Sequence, residues 1–203
     1  MLVAVDDAGN VRGVGVRLDV PCGPYSGTTL YELTIFSDDN GDEGVALLAD
    51  GLRRGRLPSL RYLALIDAQI GPQGATALAP ALTKRALPSL ERLSLHRNQI
   101  GGAGLTALAP ALRQLPKLKV LWLDHSQITD QGVASLLAPP TAGVLPLLQI
   151  IWFDENQITD EGCAALASAL RGGALPALKR LALDKNPASE EAQNAAREVS
   201  DAR

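Results

Sequence analysis

The sequence predicts an α/β solenoid, with a curved parallel β-sheet on the concave face and short helices on the convex face. Three observations carry this. One segment, L-x-x-L-x-L-x-x-N-x-I-x-x-x-G, recurs with its register nearly intact, its first leucine falling at Leu30, Leu60, Leu90, Leu118, Leu148 and Leu178. The steps between those leucines are 30, 30, 28, 30 and 30 residues, a period that belongs to stacked repeats. Within each repeat, a stretch of period-two alternation gives way to a helical segment.

The N-terminal part, 1–29, reads as a cap. Leu2–Val5, a turn-rich Asp6–Asn10 and Val11–Leu18 predict a β-hairpin. Val11, Val14 and Val16 keep the spacing of L-x-x-L-x-L, so the second hairpin strand is expected to be the first parallel strand and to cover the open edge. A Pro/Gly loop, Pro21–Gly27, replaces a helix there.

Six strands follow over 30–187. Leu63-Ala64-Leu65, Leu93-Ser94-Leu95, Leu121-Trp122-Leu123, Ile151-Trp152-Phe153 and Leu181-Ala182-Leu183 place apolar side chains inward and the residues between them outward. Helical segments such as Gly104–Ala109 lie behind, and a strand–helix–strand order in one sense makes the sheet parallel. Thr129 and Thr159, each followed by an acid, are expected to cap helix starts. Asn98, Asn156 and Asn186 come just after their strands, where a buried amide can bond the backbone of adjacent repeats. Asp38, Ala68 and Ser126 replace them elsewhere, and Ala68 contributes nothing to such a ladder. Pro80 and Pro110 are expected to break their helices, and Pro139-Pro140 the next one. The 188–203 segment predicts a polar C-terminal capping helix with Ser189 as its N-cap, ending near Val199.

The 203 residues suffice for one well-buried domain. A net charge of −3 argues against a nucleic-acid partner. Only Cys22 and Cys163 occur, which excludes a disulfide framework and fits a reducing compartment. Cys163 takes the place of Ala75, Leu105 and Val133 in other repeats and reads as a core residue. Leu2–Val5 is too short and lacks the basic flank of a secretory signal. Leu136–Phe153 is almost uncharged and as long as a short membrane span, but its three prolines, Gly143 and the repeat register argue against a span. The expectation is a soluble, intracellular chain without a transmembrane segment.

Leu90–Leu108, with Leu90, Leu93, Leu95, Asn98, Ile100 and Gly104 in their repeat places, resembles leucine-rich repeats of the ribonuclease-inhibitor-like class, and the resemblance extends over Leu30–Pro187. It implies a non-enzymatic module that binds proteins as an inhibitor, sensor or scaffold. A minority of that family activates small GTPases, and no residue here singles that role out. Contact residues vary within the family, so none is carried over.

The candidate binding residues come from the outward positions, which form four columns. The first runs Glu32, Tyr62, Arg92, Val120, Ile150, Arg180, and the second Thr34, Ala64, Ser94, Trp122, Trp152, Ala182. The third runs Phe36, Ile66, His96, Asp124, Asp154, Asp184, and the fourth Ser37, Asp67, Arg97, His125, Glu155, Lys185. Both tryptophans thus fall on one face in adjacent repeats, where strands lie about 4.8 Å apart, so their indoles are expected to touch. With Val120 and Ile150 beside them they read as interface anchors. Asp124, Asp154 and Asp184 are expected to raise one another's pKa unless a basic partner segment or a divalent cation relieves them. Arg92, His96 and Arg97 make a basic spot one repeat earlier.

No cofactor and no catalytic constellation is evident. Gly101–Gly104 lacks the Lys-Ser/Thr of a phosphate loop, and neither C-x-x-C nor H-E-x-x-H occurs. Ser94, His96 and Asp124 invite a triad reading. Ser94 and His96 are two apart on one strand, roughly 6.6 Å between Cα atoms, too far unless the side chains lean together, and no oxyanion hole is apparent. The runner-up to a concave-face binder is a structural subunit of a large assembly held through edges, loops or convex face, where Tyr25, Pro139 and Pro140 would matter more than the tryptophans.

Overall fold

The computed structural model describes residues 4–5, 11–12, 30–36, 41–55, 57–138 and 144–201. Six strands, β3 (Glu32–Phe36), β4 (Tyr62–Ile66), β5 (Arg92–Ser94), β6 (Val120–Trp122), β7 (Ile150–Trp152) and β8 (Arg180–Ala182), form one parallel sheet in chain order, after the hairpin strands β1 (Ala4–Val5) and β2 (Val11–Arg12). The helices α1 (Gly41–Arg53), α2 (Pro72–Leu78), α3 (Gly101–Leu112), α4 (Asp130–Leu137) and α5 (Asp160–Arg171) each connect one strand to the next, and α6 (Glu190–Asp201) closes the stack. This is the α/β solenoid that the repeat demands.

The core lies between sheet and helices. Leu63, Leu93, Leu121 and Ile151 come from the strands, and Ala75, Leu105, Val133 and Cys163 from the helices; all eight are 0% exposed. Burying a leucine side chain contributes on the order of 2 kcal/mol, so this column of equivalent positions binds each repeat to the next. Close approach is needed too. A Cβ on Gly132 would lie 3.1 Å from the Gly102 Cα, so glycine lets the starts of α3 and α4 meet backbone to backbone.

The turns after the strands are satisfied by the asparagines. Asn98 Oδ1 accepts from Ala68 and Ile70 N–H, while its Nδ2 donates to the Leu65, Leu95 and His96 carbonyls. Asn156 repeats this pattern two repeats on. Ser126 covers part of the task between them, its hydroxyl donating to the Leu95 and Asp124 carbonyls. Asp38 lies outside the described residues.

A second ladder ties helix starts together. Asp42 accepts from Gly71 N–H at 2.6 Å, Asp130 from Thr159 N–H at 2.8 Å and Oγ1–H at 2.6 Å, and Asp160 from Ser189 N–H at 2.6 Å. Asp160 thereby fastens α5 to the capping helix. Asp160→Ala is expected to lower stability by about 1 kcal/mol, a charge-assisted bond discounted for exposure. The readout is the urea midpoint at unchanged slope.

Two local expectations meet a different outcome. Pro80 does break its helix, with α2 stopping at Leu78 and a 3-10 turn taking Ala79–Ala81, but α3 runs through Pro110 to Leu112. The following residues decide this. Thr83 Oγ1 accepts from Ala86 N–H and starts a competing turn, whereas Arg113 continues the helical bonding to Ala109 and donates to the Ser135 carbonyl at 2.6 Å. Thr159 caps α5 through Glu161 N–H, but Thr129 makes no side-chain cap bond. Its hydroxyl is instead packed against Gly102, 2.0 Å from where a Cβ there would lie. Val11 pairs antiparallel with Val5, as the expected hairpin requires, and among the described residues the parallel sheet begins at β3. Val14, Val16, Cys22, Tyr25 and the Pro21–Gly27 loop lie outside the described residues.

Ala138, before Pro139, is extended, and α4 ends at Leu137. Pro139, Pro140 and Gly143 also lie outside the described residues. At the C-terminus Ser189 Oγ accepts from Ala192 N–H at 3.2 Å as the N-cap, and α6 continues two residues past Val199. Among the described residues no helix is long and apolar enough to cross a membrane.

Candidate protein-docking face

The pairing of the strands lays out the sheet face away from the helices. Glu32, Tyr62, Arg92, Val120, Ile150 and Arg180 are register partners in sequence, as are Thr34, Ala64, Ser94, Trp122, Trp152 and Ala182. Beyond the short strands the backbone bonds continue, from Arg97 N–H to Asp124, His125 N–H to Asp154 and Glu155 N–H to Asp184. They bring His96, Asp124, Asp154 and Asp184 into the third column. The residues of the fourth, Asp67, Arg97, His125, Glu155 and Lys185, all turn through left-handed backbone, with φ between 53° and 57°. This recurs in every one of these repeats, so it belongs to the turn and not to one special site.

Trp122 and Trp152 are register neighbours, but their indoles do not stack. Among the described residues the one aromatic ring pair is Tyr62 with Trp122, at 6.0 Å and 60°. That edge-to-face pair reaches across β5. Ala64 (0% exposed) and Ser94 (1%) are buried although they occupy outward positions, because the rings cover this stretch. Trp122 therefore turns toward the N-terminal repeats, and Trp152 has the Arg180 guanidinium over its ring at 5.4 Å instead. Arg92 lies over Tyr62 at 4.6 Å and also pairs with Glu32. Val120 and Ile150 are half-buried beside the two tryptophans.

The acidic half is partly neutralised from within. Arg197, on the capping helix, bonds Asp184 at 2.6 Å. His125 meets Glu155 at 2.6 Å through Nε2 and Asp124 at 3.4 Å through Nδ1, and Lys185 pairs with Glu155. Lys185 and then His125 hold the Glu155 carboxyl below its usual range. Among the described residues no cation is bonded to Asp154, which accepts only the Asp184 N–H, at 2.6 Å. Burial pushes its carboxyl up, and the charges of Asp184 and Asp124 add to that. Asp124 Oδ1 and Trp152 Nε1 are buried and have no hydrogen-bond partner among the described residues.

The raised Asp154 carboxyl has a sign that can be tested. It holds its proton more tightly in the folded chain than in the unfolded one, so its ionised form costs stability above the folded pKa. That cost fades as pH falls through this value. Asp154→Asn keeps an oxygen for the Asp184 N–H. Its melting point is expected to exceed that of the wild type at neutral pH, and thermal melts across the acid range should show the gap closing.

Ser94 Oγ and His96 Nδ1 do lean together, sharing a hydrogen bond of 3.0 Å, contrary to the separation expected from their Cα spacing. The bond satisfies a buried hydroxyl. At 1% exposure Ser94 is out of reach of a substrate. Burial holds the His96 imidazole below its ordinary pKa, with Asp124 opposing and Arg97 and His125 reinforcing. Burial, with help from Asp160 and Asp130, pushes the Cys163 thiol up to about 11, which makes it a poor nucleophile. Among the described residues no three His, Cys, Asp or Glu side chains converge to hold a metal ion. A shallow cleft of about 500 Å³ at the start of the strands is lined by Tyr31, Glu32, Arg61, Glu91 and Arg92. Its charges are largely spent on neighbours: Arg92 on Glu32, Glu91 on Lys119, and Arg61 over the Tyr31 ring.

Repeats and sheet make this a leucine-rich-repeat fold, a class whose domains generally mediate protein–protein interaction. The family model described as "Leucine Rich repeat" matches residues 56–79, 86–109, 114–137 and 148–167. Among solved structures, the chain is similar to the actin-binding site 2 of leiomodin-1, at 17% identity and a TM-score of 0.49, over 83% of this chain and 77% of that one. It is also similar to an internalin (inlF) of Listeria monocytogenes, at 20% identity and a TM-score of 0.43, over 85% of this chain and 46% of that one. The chain thus spans less than half of the internalin's length. No curated protein matches it. The fold assignment stands on the repeats and the sheet, not on these two likenesses.

Proposed function

We propose that this chain is a non-enzymatic, ribonuclease-inhibitor-like leucine-rich-repeat module that docks a partner protein on its concave face. One observation supports the reading above others: Tyr62, Trp122, Val120, Ile150 and Trp152, from three strands, make a partly exposed apolar stripe in which the Tyr62–Trp122 pair bridges β5. Both tryptophans of a chain with 3% aromatic residues stand in it. Large aromatic side chains on a preorganised surface lose little entropy on binding and are the commonest hot spots. Arg92, His96 and His125 flank the stripe, and Asp124, Asp154 and Asp184 set its electrostatic character toward a basic partner.

The test is capture from a native lysate with two baits, wild type and Trp122→Ala/Trp152→Ala, the second shown by circular dichroism to be folded. Proteins held by the wild type and lost with the double variant support the concave face. An unchanged set of captured proteins refutes it.

A subunit of a large assembly is the second reading, favoured by Leu47 (50% exposed), Leu147 (44%), Phe36 (46%) and Tyr31 (41%), large apolar groups that all stand off the tryptophan stripe. Under that reading Leu47→Glu or Leu147→Glu, not the double tryptophan variant, releases the captured proteins.

A further inference from the structure

The charges on the acidic half of this face do not balance at two positions. Every nearby cation bonded to an acid has gone elsewhere: Arg197 to Asp184, Lys185 to Glu155, and His125 most closely to Glu155. Arg180 is over the Trp152 ring. Asp124 is left with a 3.4 Å contact from His125 to one oxygen and nothing on the other, although its side chain is only 15% exposed. Asp154 beside it has a single backbone N–H. A half-buried carboxylate without a full set of donors is costly, and an arriving cation would relieve it. Because no three ligand side chains converge among the described residues, a chelated metal ion does not fit, whereas a long side chain with a cationic head does. The tryptophan stripe runs beside these two acids, Trp122 and Trp152 standing on the strands that lead into the Asp124 and Asp154 turns.

We propose that the partner presents an extended segment in which a lysine or arginine reaches the exposed edge of the Asp124 and Asp154 carboxylates while its apolar neighbours cover the tryptophan stripe. This rests on the concave-face reading and narrows it to one chemistry. An acidic segment is repelled by Asp124, Asp154 and Glu155. A purely apolar one leaves both carboxylates without a cation.

A random peptide library displayed on phage, selected on the intact chain, provides the probes. The strongest selected peptide is then synthesised and titrated against wild type, Asp124→Asn and Trp122→Ala/Trp152→Ala by fluorescence anisotropy. The expected result is a shared lysine or arginine among the selected peptides, binding that weakens as salt rises, and a loss of at least about 30-fold on Asp124→Asn. The peptide composition is read on the wild type alone, so it stands even if that variant fails to fold. Peptides without a basic preference that still lose binding on the double variant overturn this inference and leave the concave face intact. Peptides that bind the double variant as tightly as the wild type overturn both, and an empty selection counts against both.

Discussion

Asn156→Ala is expected to cost about 4 kcal/mol of folding stability, at the top of the range for a single substitution. The side chain is 7% exposed and makes five hydrogen bonds, accepting from Ser126 and Ile128 N–H and donating to the Leu123, Phe153 and Asp154 carbonyls. Alanine leaves those backbone groups in place without their partner. An unsatisfied buried group costs about 1–3 kcal/mol, and some of these carbonyls reach water or share other donors, which keeps the total below the full sum. Asn186→Ala, at the less buried end of the ladder, should cost about half as much. Chemical denaturation of the two variants checks both. Equal small losses would show that the turns hold themselves and that the ladder follows from the fold.

Loss of the two tryptophans is expected to weaken partner binding by about 100-fold or more, since hot-spot residues contribute 2 kcal/mol or more each. The single variants should differ in stability. Trp122 also packs edge-to-face on Tyr62 and covers Ser94, so Trp122→Ala should lower folding stability by about 1–2 kcal/mol as well as affinity. Trp152 has no ring partner among the described residues but carries Arg180 over its ring, so Trp152→Ala should lower the melt less than Trp122→Ala while costing comparable affinity. Calorimetric titration of each variant with the captured partner, beside its thermal melt, separates the two. Matched affinity in all variants would exclude the stripe as the anchor.

The candidate face was readable in sequence to the level of columns. Strand side chains alternate strictly, so placing Leu121 and Ile151 inward places Trp122 and Trp152 outward, and the constant repeat length aligns them. The asparagine ladder was readable for the same reason: a recurring polar residue at one repeat position must meet the same backbone groups each time. Contacts along the columns were not readable. Column spacing allowed Trp122 to lie on either Trp152 or, across β5, Tyr62, and rotamers in a shared layer decide that. Arg197 carried no sequence signal as the partner of Asp184, because the angle at which α6 closes the last repeat sets that distance. Thr129 and Thr159 occupy equivalent places and look alike, yet only Thr159 caps its helix.

By itself, then, the sequence determined what repeats: the period, the inward leucines, the buried asparagines and the outward columns. Each follows from a local geometric rule applied again every repeat, so errors do not accumulate. Only the tertiary structure decided what happens between repeats. It continued α3 through Pro110, leaned Ser94 and His96 together, drew Arg197 to Asp184 and left Asp124 and Trp152 each with a polar atom unmatched. Those outcomes depend on which of several neighbours within reach takes a given hydrogen bond or ring face. That competition is settled by packing in three dimensions, where no single stretch of chain holds all the competitors.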